Sequence, residues 1–176
     1  MKRILIPIVA LTSLFGTGLL AEETKHFGPG TGWLHIDYPS NYVTDPKSHQ
    51  GEAKWWARFS APDQSLSIET MSRGYCSQSL EEEGYKNPED YVLRHIVPGS
   101  PLRTGHEGYD RLIRVDAASV TVIYLHHDAT WGKCYEELRF TFAEGGYERH
   151  RDEIMKVIHS ARPSFGPNEA GEAPPK

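Results

Sequence analysis

Cysteine is scarce: the 176-residue chain has two, Cys76 and Cys134. Neither belongs to a C-x-x-C or C-x-x-H cluster, so the pair alone does not make a zinc site. The chain also lacks a G-x-S-x-G elbow, an H-E-x-x-H helix and a P-loop. Their absence removes the short motifs of serine hydrolases, zinc peptidases and nucleotide hydrolases. Gly28, Gly30 and Gly32 form a G-x-G-x-G run. A phosphate-cradling loop needs a helix directly after it, and here a strand pattern follows instead. Basic residues are outnumbered, 19 against 24 acidic ones. A nucleic-acid binder needs a basic face, so no nucleic-acid partner is expected.

Acidic residues are missing altogether from the first 21 positions. There Lys2 and Arg3 precede an apolar run from Ile4 to Leu20, and Ala21 stands before Glu22. A basic start, an apolar middle and a small residue at the cut describe a secretory signal peptide over 1–21. A retained anchor is the alternative, although Pro7, Gly16 and Gly18 interrupt a run close to the shortest membrane span. No Cys follows the run, so a lipid-modified N-terminus is not expected. Losing Lys2 and Arg3 leaves 17 basic residues against 24 acidic, a formal charge of −7. The expected location is the periplasm or the exterior, with no membrane span after cleavage. In an oxidising compartment an even cysteine count points to a Cys76–Cys134 disulfide. Two buried free thiols are the alternative.

What is present is a run of strand patterns. Residues 22–31 read as a flexible lead-in. Leu34, Ile36 and Tyr38 alternate with His35 and Asp37 in a first strand. Lys54–Ser60, with Trp55, Ala57 and Phe59 on one face, and Ser65–Met71 form a hairpin around Ala61–Gln64. Asn87-Pro88-Glu89-Asp90 is a helix start: Asn caps, Pro suits the first turn and acids suit the dipole. That helix should run to about Val97, where Pro98-Gly99 stops it. Tyr109–Asp116 is a fourth strand, with Tyr109, Ile113 and Val115 facing inward. Val120–His127 is apolar on both faces, which marks a central strand covered on both sides. Cys134–Phe142 is the sixth, with Cys134, Leu138, Phe140 and Phe142 inward and Tyr135 and Glu137 outward. Tyr147–Ala161 shows helical spacing. Residues 166–176 are rich in Pro, Gly and Glu and read as disordered. The expected fold is α+β: one domain over 32–165, an antiparallel sheet of about six strands covered by helices.

Chemistry-bearing residues gather at one place. His126, His127 and Asp128 end the central strand, and Trp131 lies in the turn that follows. Adjacent strand residues point to opposite faces, so His126 and His127 do not chelate one ion in a regular strand. One of them could pair with Glu136, Asp110 or His150. Glu136 and Glu137 also face opposite ways and make no ready acid–base pair. No metal site and no catalytic residue is assigned. Trp55 and Trp56, with Trp131, supply aromatic surface if helices leave them uncovered. The candidate binding surface is therefore Trp55, Trp56, His126, His127, Asp128 and Trp131.

Two stretches resemble the PsbP-like superfamily, which includes the bacterial DcrB-type proteins. They are Gly32–Tyr42, reading GWLHIDYPSNY, and Phe140–Ser160, a strand, a Gly-Tyr turn and a helix ending in I-x-S. The resemblance covers most of the chain after the leader and rests on structural residues. It implies an α/β/α sandwich around an antiparallel sheet. It brings no catalytic residue and no cofactor. Such proteins are typically non-enzymatic binding or assembly factors, so the expected function is an exported binding protein with a protein or small-molecule partner. A periplasmic inhibitor or immunity protein against a secreted toxin is a second reading. A metal-dependent or hydrolytic enzyme using His126 or His127 is a third.

Overall fold

The computed structural model describes residues 23–28, 34–50, 56–76, 80–81, 84–85, 87–128 and 132–164, and for 72–75 the backbone alone. The expected leader 1–21 and tail 166–176 lie outside these residues, as do Trp33, Trp55 and Trp131.

The fold is α+β. The described strands are β1 (Thr24–Phe27), β2 (Leu34–Pro39), β3 (Val43–Thr44), β4 (Trp56–Ser60), β5 (Leu66–Cys76), β6 (Leu102–His106), β7 (Tyr109–Val115), β8 (Ser119–Asp128), β9 (Gly132–Phe142) and β10 (Arg162–Pro163). Helix α1 (Pro88–Tyr91) continues as a π-turn over Val92–Ile96, and α2 spans Tyr147–Ser160. Seven strands form one sheet in the order β3-β4-β5-β9-β8-β7-β6, and β1-β2-β10 form a second. All the pairings are antiparallel.

Two apolar cores cover the two faces of the large sheet. On one face Val120, Val122, Tyr124, Leu138 and Phe140 meet Ile154, Val157 and Ile158 of α2 and Leu34 and Ile36 of β2. On the other, Leu112, Ile123 and Tyr135 meet Leu80, Val92 and Val97 around α1. Strand β8 feeds both cores from alternate residues, as its two apolar faces require. Completely burying one such Ile or Leu contributes about 1.5–3 kcal/mol.

Five expectations change. The large sheet has seven strands, not six: the expected first strand, β2, lies in the second sheet, while the two-residue β3 and β6, which is mostly polar and exposed and gives no alternation to read, join the large one. The lead-in contains β1, which pairs with β2 from Thr24↔Pro39 to Phe27↔Ile36. Strand β5 runs on to Cys76, past a register shift after Met71. Tyr135 and Glu137 are buried because the chain around α1 and neighbouring side chains cover the face read as outward. Val115, read as inward, is 50 % exposed, at the end of β7 where Asp116 begins the turn.

The helix start behaves as its residues require. The Asn87 side chain accepts a hydrogen bond from the Asp90 N–H at 3.0 Å, satisfying one of the orphan donors of the first turn. Arg103 on β6 then donates to Glu89 of α1 and, at 3.2 Å, to Asp110 of β7. This ties the helix start to the sheet edge.

Candidate functional site

The ends of two hairpins build the candidate site. Gly108 (φ 83°) turns β6 into β7, and Gly132 (φ 79°) opens β9 after the β8–β9 turn. Both need the left-handed conformation that a side chain disfavours. The pairing then fixes the neighbours. Tyr109 stands opposite His126 and Asp110 opposite Leu125. His126 stands opposite Cys134, and His127 opposite Lys133.

The sheet itself divides these residues. Side chains at one register position share a face, and the next position takes the other face. His126, Tyr109, Tyr124, Arg111, Glu136 and Cys134 therefore stand on the α2 side. His127, Leu125, Asp110 and Lys133 stand on the α1 side. His126 and His127 do not converge, as strand geometry predicts.

The α2 side of the tip is buried and ionisable. Arg111, Tyr124 and Glu136 line up across β7, β8 and β9. Arg111 is 4 % exposed and Glu136 2 %. The Arg111 guanidinium lies 5.5 Å from the Tyr124 ring centre and 5.9 Å from that of Tyr109, and it donates to the Tyr109 hydroxyl at 3.3 Å. Arg111 makes no ion pair among the described residues. Its buried charge rests on two aromatic faces and a phenol, an arrangement worth more out of water than at a surface. Burial drives the Tyr124 phenol far above its ordinary value, so it stays a donor, here to the Ile158 carbonyl at 3.3 Å.

Glu136 faces His126 with Oε1 3.5 Å from Nε2. That is an ion-pair distance and long for a hydrogen bond. Oε2 of Glu136 has no hydrogen-bond partner among the described residues. Burial raises the Glu136 carboxyl above its ordinary 4.5, and His126 offsets only part of the rise. Glu136 also stands where β5 shifts register: residues 72–74 fall between the pairs Met71↔Glu137 and Tyr75↔Tyr135. Next along the sheet, Cys76 pairs with Cys134, and the two form a disulfide. The bridge ties β5 to β9 beside His126.

The α1 side of the tip is open. A pocket of about 320 Å³ lies between the start of α1 and the hairpin ends, and its lining also includes Tyr109, His126 and Cys134 of the α2 face. Pro88 and Glu89 line it from the helix, Asp110 from β7, Leu125 and His127 from β8, and Lys133 from β9. His106 and Tyr109, stacked at 5.0 Å between ring centres, also line it. The His106 imidazole is pulled below its ordinary value, first by desolvation and then by the charges of Arg111 and His159.

The sequence-derived binding surface is thus partly assembled. His126, His127 and Asp128 fall at the tip. Trp56 does not: it lies on β4, separated from β8 by β5 and β9, and its register row ends at Ile123, on the face opposite His126. His150, offered as a partner for His126, belongs to α2 and is not among its ionic partners; Glu136 is. Arg111, Glu89 and Lys133 were not anticipated. Arg111 and Glu136 did leave a signal, since each is a charged residue on the inward phase of its strand.

One further cluster lies on β1 and β2. His26 Nδ1 lies 2.8 Å from Asp37, near Ser160. The Ser160 hydroxyl accepts from the Asp37 N–H and donates to the Val157 carbonyl, so it closes α2 onto β2. Among the described residues no group of three or more His, Cys, Asp or Glu is placed to hold a metal, and no helix is long and apolar enough to cross a membrane.

No family model matches the chain, and no curated protein matches it in sequence. Two solved structures are similar in fold. One is a crystal structure of a protein from Bacteroides thetaiotaomicron, 17 % identical, covering 82 % of this chain at a TM-score of 0.44. This chain spans 50 % of that protein's length. The other is the solution structure of cyanobacterial PsbP (CyanoP) from Synechocystis, 12 % identical, covering 86 % of this chain and 98 % of its own at a TM-score of 0.44.

Proposed function

We propose that this chain is an exported, non-catalytic binding protein that receives a small molecule in the pocket at the hairpin ends. The observation that carries the reading is the pocket itself, about 320 Å³ with Glu89, Asp110, His127 and Lys133 around it. A few polar groups around an apolar floor, here Leu125 and Pro88, is the usual make-up of a small-ligand site. The leader-like N-terminus and the Cys76–Cys134 disulfide support export. The resemblance to PsbP-like binding and assembly factors points the same way. A catalytic role for the histidine pair is disfavoured because the sheet separates its members, and because His126 is 8 % exposed and held against Glu136.

The test is protein-observed NMR on ¹⁵N-labelled chain with a library of small fragments. Binding should shift the amides of Leu125, His127 and Lys133 and leave those of β3 and β4 in place. Hits scattered over the surface, or none, would end the proposal.

A further inference from the structure

A second pocket, of about 490 Å³, lies at the far end of β9 from the hairpin tip. Val43 to Pro46 form one wall, the turn from β4 to β5 forms another, and the sheet is the floor. On that floor Ser60, Ser67 and Thr141 stand side by side on β4, β5 and β9, so their hydroxyls share one face. Arg58, two residues before Ser60 on the same face, donates to the Ser67 hydroxyl at 3.5 Å. Gln64 lines the pocket from the turn with a φ of 58°. That left-handed backbone favours glycine and is uncommon for other residues. The Gln64 N–H closes the turn onto the Ala61 carbonyl at 2.9 Å, a bond that glycine would make equally well. The turn therefore has no need of a side chain at 64, and the pocket gains one.

The lining is polar without an excess of charge. It holds one cation, Arg58, and one anion, Asp45. Arg58 is paired with Glu69 at 3.4 Å, and Asp45 accepts the Lys47 N–H at 2.8 Å, so each already has a partner of its own. The other polar side chains on the floor and the turn are hydroxyls and an amide, each able both to donate and to accept. Beside them Val43, 62 % exposed, and Pro62 offer apolar surface. An apolar ligand would leave Ser67 and Gln64 cut off from water without a partner, which costs free energy. A polyol meets both demands, because its hydroxyls donate and accept while its C–H groups cover apolar side chains. We infer that this pocket binds a neutral monosaccharide. The sugar hydroxyls exchange hydrogen bonds with Gln64, Ser60, Ser67 and Thr141, and the C–H face of the ring lies on Val43 and Pro62. The site is separate from the pocket at the hairpin ends and does not rest on that reading.

The probes are D-glucose, D-galactose and D-mannose, each titrated into the ¹⁵N-labelled full chain. At least one should shift the amides of Gln64, Ser67 and Thr141 and leave those of Leu125 and His127 in place. The hexose that binds best is then compared with its 6-phosphate and its 2-amino-2-deoxy analogue, and neither should bind more tightly. Gln64→Gly should unfold at the same or a higher urea concentration than wild type, because the strained backbone is relieved. It should nevertheless bind that hexose about tenfold more weakly, the equivalent of one or two hydrogen bonds. A residue that only shaped the turn would not separate the two readouts. If none of the hexoses shifts these amides, the site is overturned outright. A charged analogue that binds more tightly than its parent overturns the neutral ligand, and this comparison uses the unaltered protein. An unchanged affinity in Gln64→Gly overturns the contact assigned to Gln64. The hairpin pocket is judged separately, by the amides of Leu125 and His127 in the same spectra.

Discussion

Replacing Glu136 with glutamine removes the proton-binding group of the most deeply buried carboxyl described on the sheet. Burial holds that carboxyl above 4.5, and His126 recovers only part of the difference. A value raised in the fold means that folding strengthens proton binding. The resulting stability is complete below the unfolded value and is lost as pH rises through the folded one. Inside that window wild type loses about 1.4 kcal/mol per pH unit through this group. Glutamine keeps the shape and does not titrate. The unfolding free energy of Glu136→Gln relative to wild type should therefore climb by about 1.4 kcal/mol per pH unit above 4.5, then level off once the folded value is passed. The subtraction cancels titrating groups that do not interact with Glu136, such as Glu137, whose carboxyl burial also raises; His126, at 3.5 Å from Glu136, does not cancel, so the comparison is repeated in a His126→Gln background. Guanidinium unfolding of both proteins from about pH 4 to about pH 8 gives the curve. A difference that falls with pH would refute the reasoning. Glu136 would then be ionised and stabilised by His126, and losing it would cost about 3–5 kcal/mol at neutral pH.

Other consequences are simpler. The Cys76–Cys134 bridge closes a loop with a sequence separation of 58, so reducing it should cost about 4 kcal/mol by chain entropy; urea midpoints with and without reductant read this, and an unchanged midpoint contradicts it. Asn87→Ala removes the helix cap and should cost about 1 kcal/mol in thermal or urea unfolding, whereas a neutral result would mean water replaces the cap. Ile123→Ala empties a fully buried position under α1 and should cost about 2–5 kcal/mol, and a loss below about 1 kcal/mol would show that α1 packs loosely there.

Where side chains alternate, the fold could be read directly. Leu34, Ile36 and Tyr38 lie buried on β2, Ala57 and Phe59 on β4, and β8 is buried on both faces, as the pattern requires. The Asn87 cap and the helix over Tyr147–Ser160 were likewise visible. Strand β6 was not, because an edge strand with one exposed face has no need of apolar alternation. The length of β5 was hidden by its register shift and by polar residues near Cys76. The site was half legible. His126, His127 and Asp128 mark the tip, and strand parity already separates the two histidines. Yet Arg111 was passed over, and Glu136 stood only as one of three possible histidine partners, because inward charges become interpretable only when their neighbours across the sheet are known. The pocket needed α1 beside the hairpins, a contact between segments far apart in sequence. Trp56 misled because aromatic content says nothing about which face or which end of a sheet it occupies.

The central claim is that the sheet divides the tip, with His126 in a buried ionisable row on one face and His127 on the open face opposite. Carbethoxylation of the native protein by diethyl pyrocarbonate, mapped by mass spectrometry, tests it at two adjacent residues. His127 is exposed and His126 buried. The account predicts that His127 is modified readily and His126 only after the protein is unfolded. Equal modification of both in the native state would contradict it.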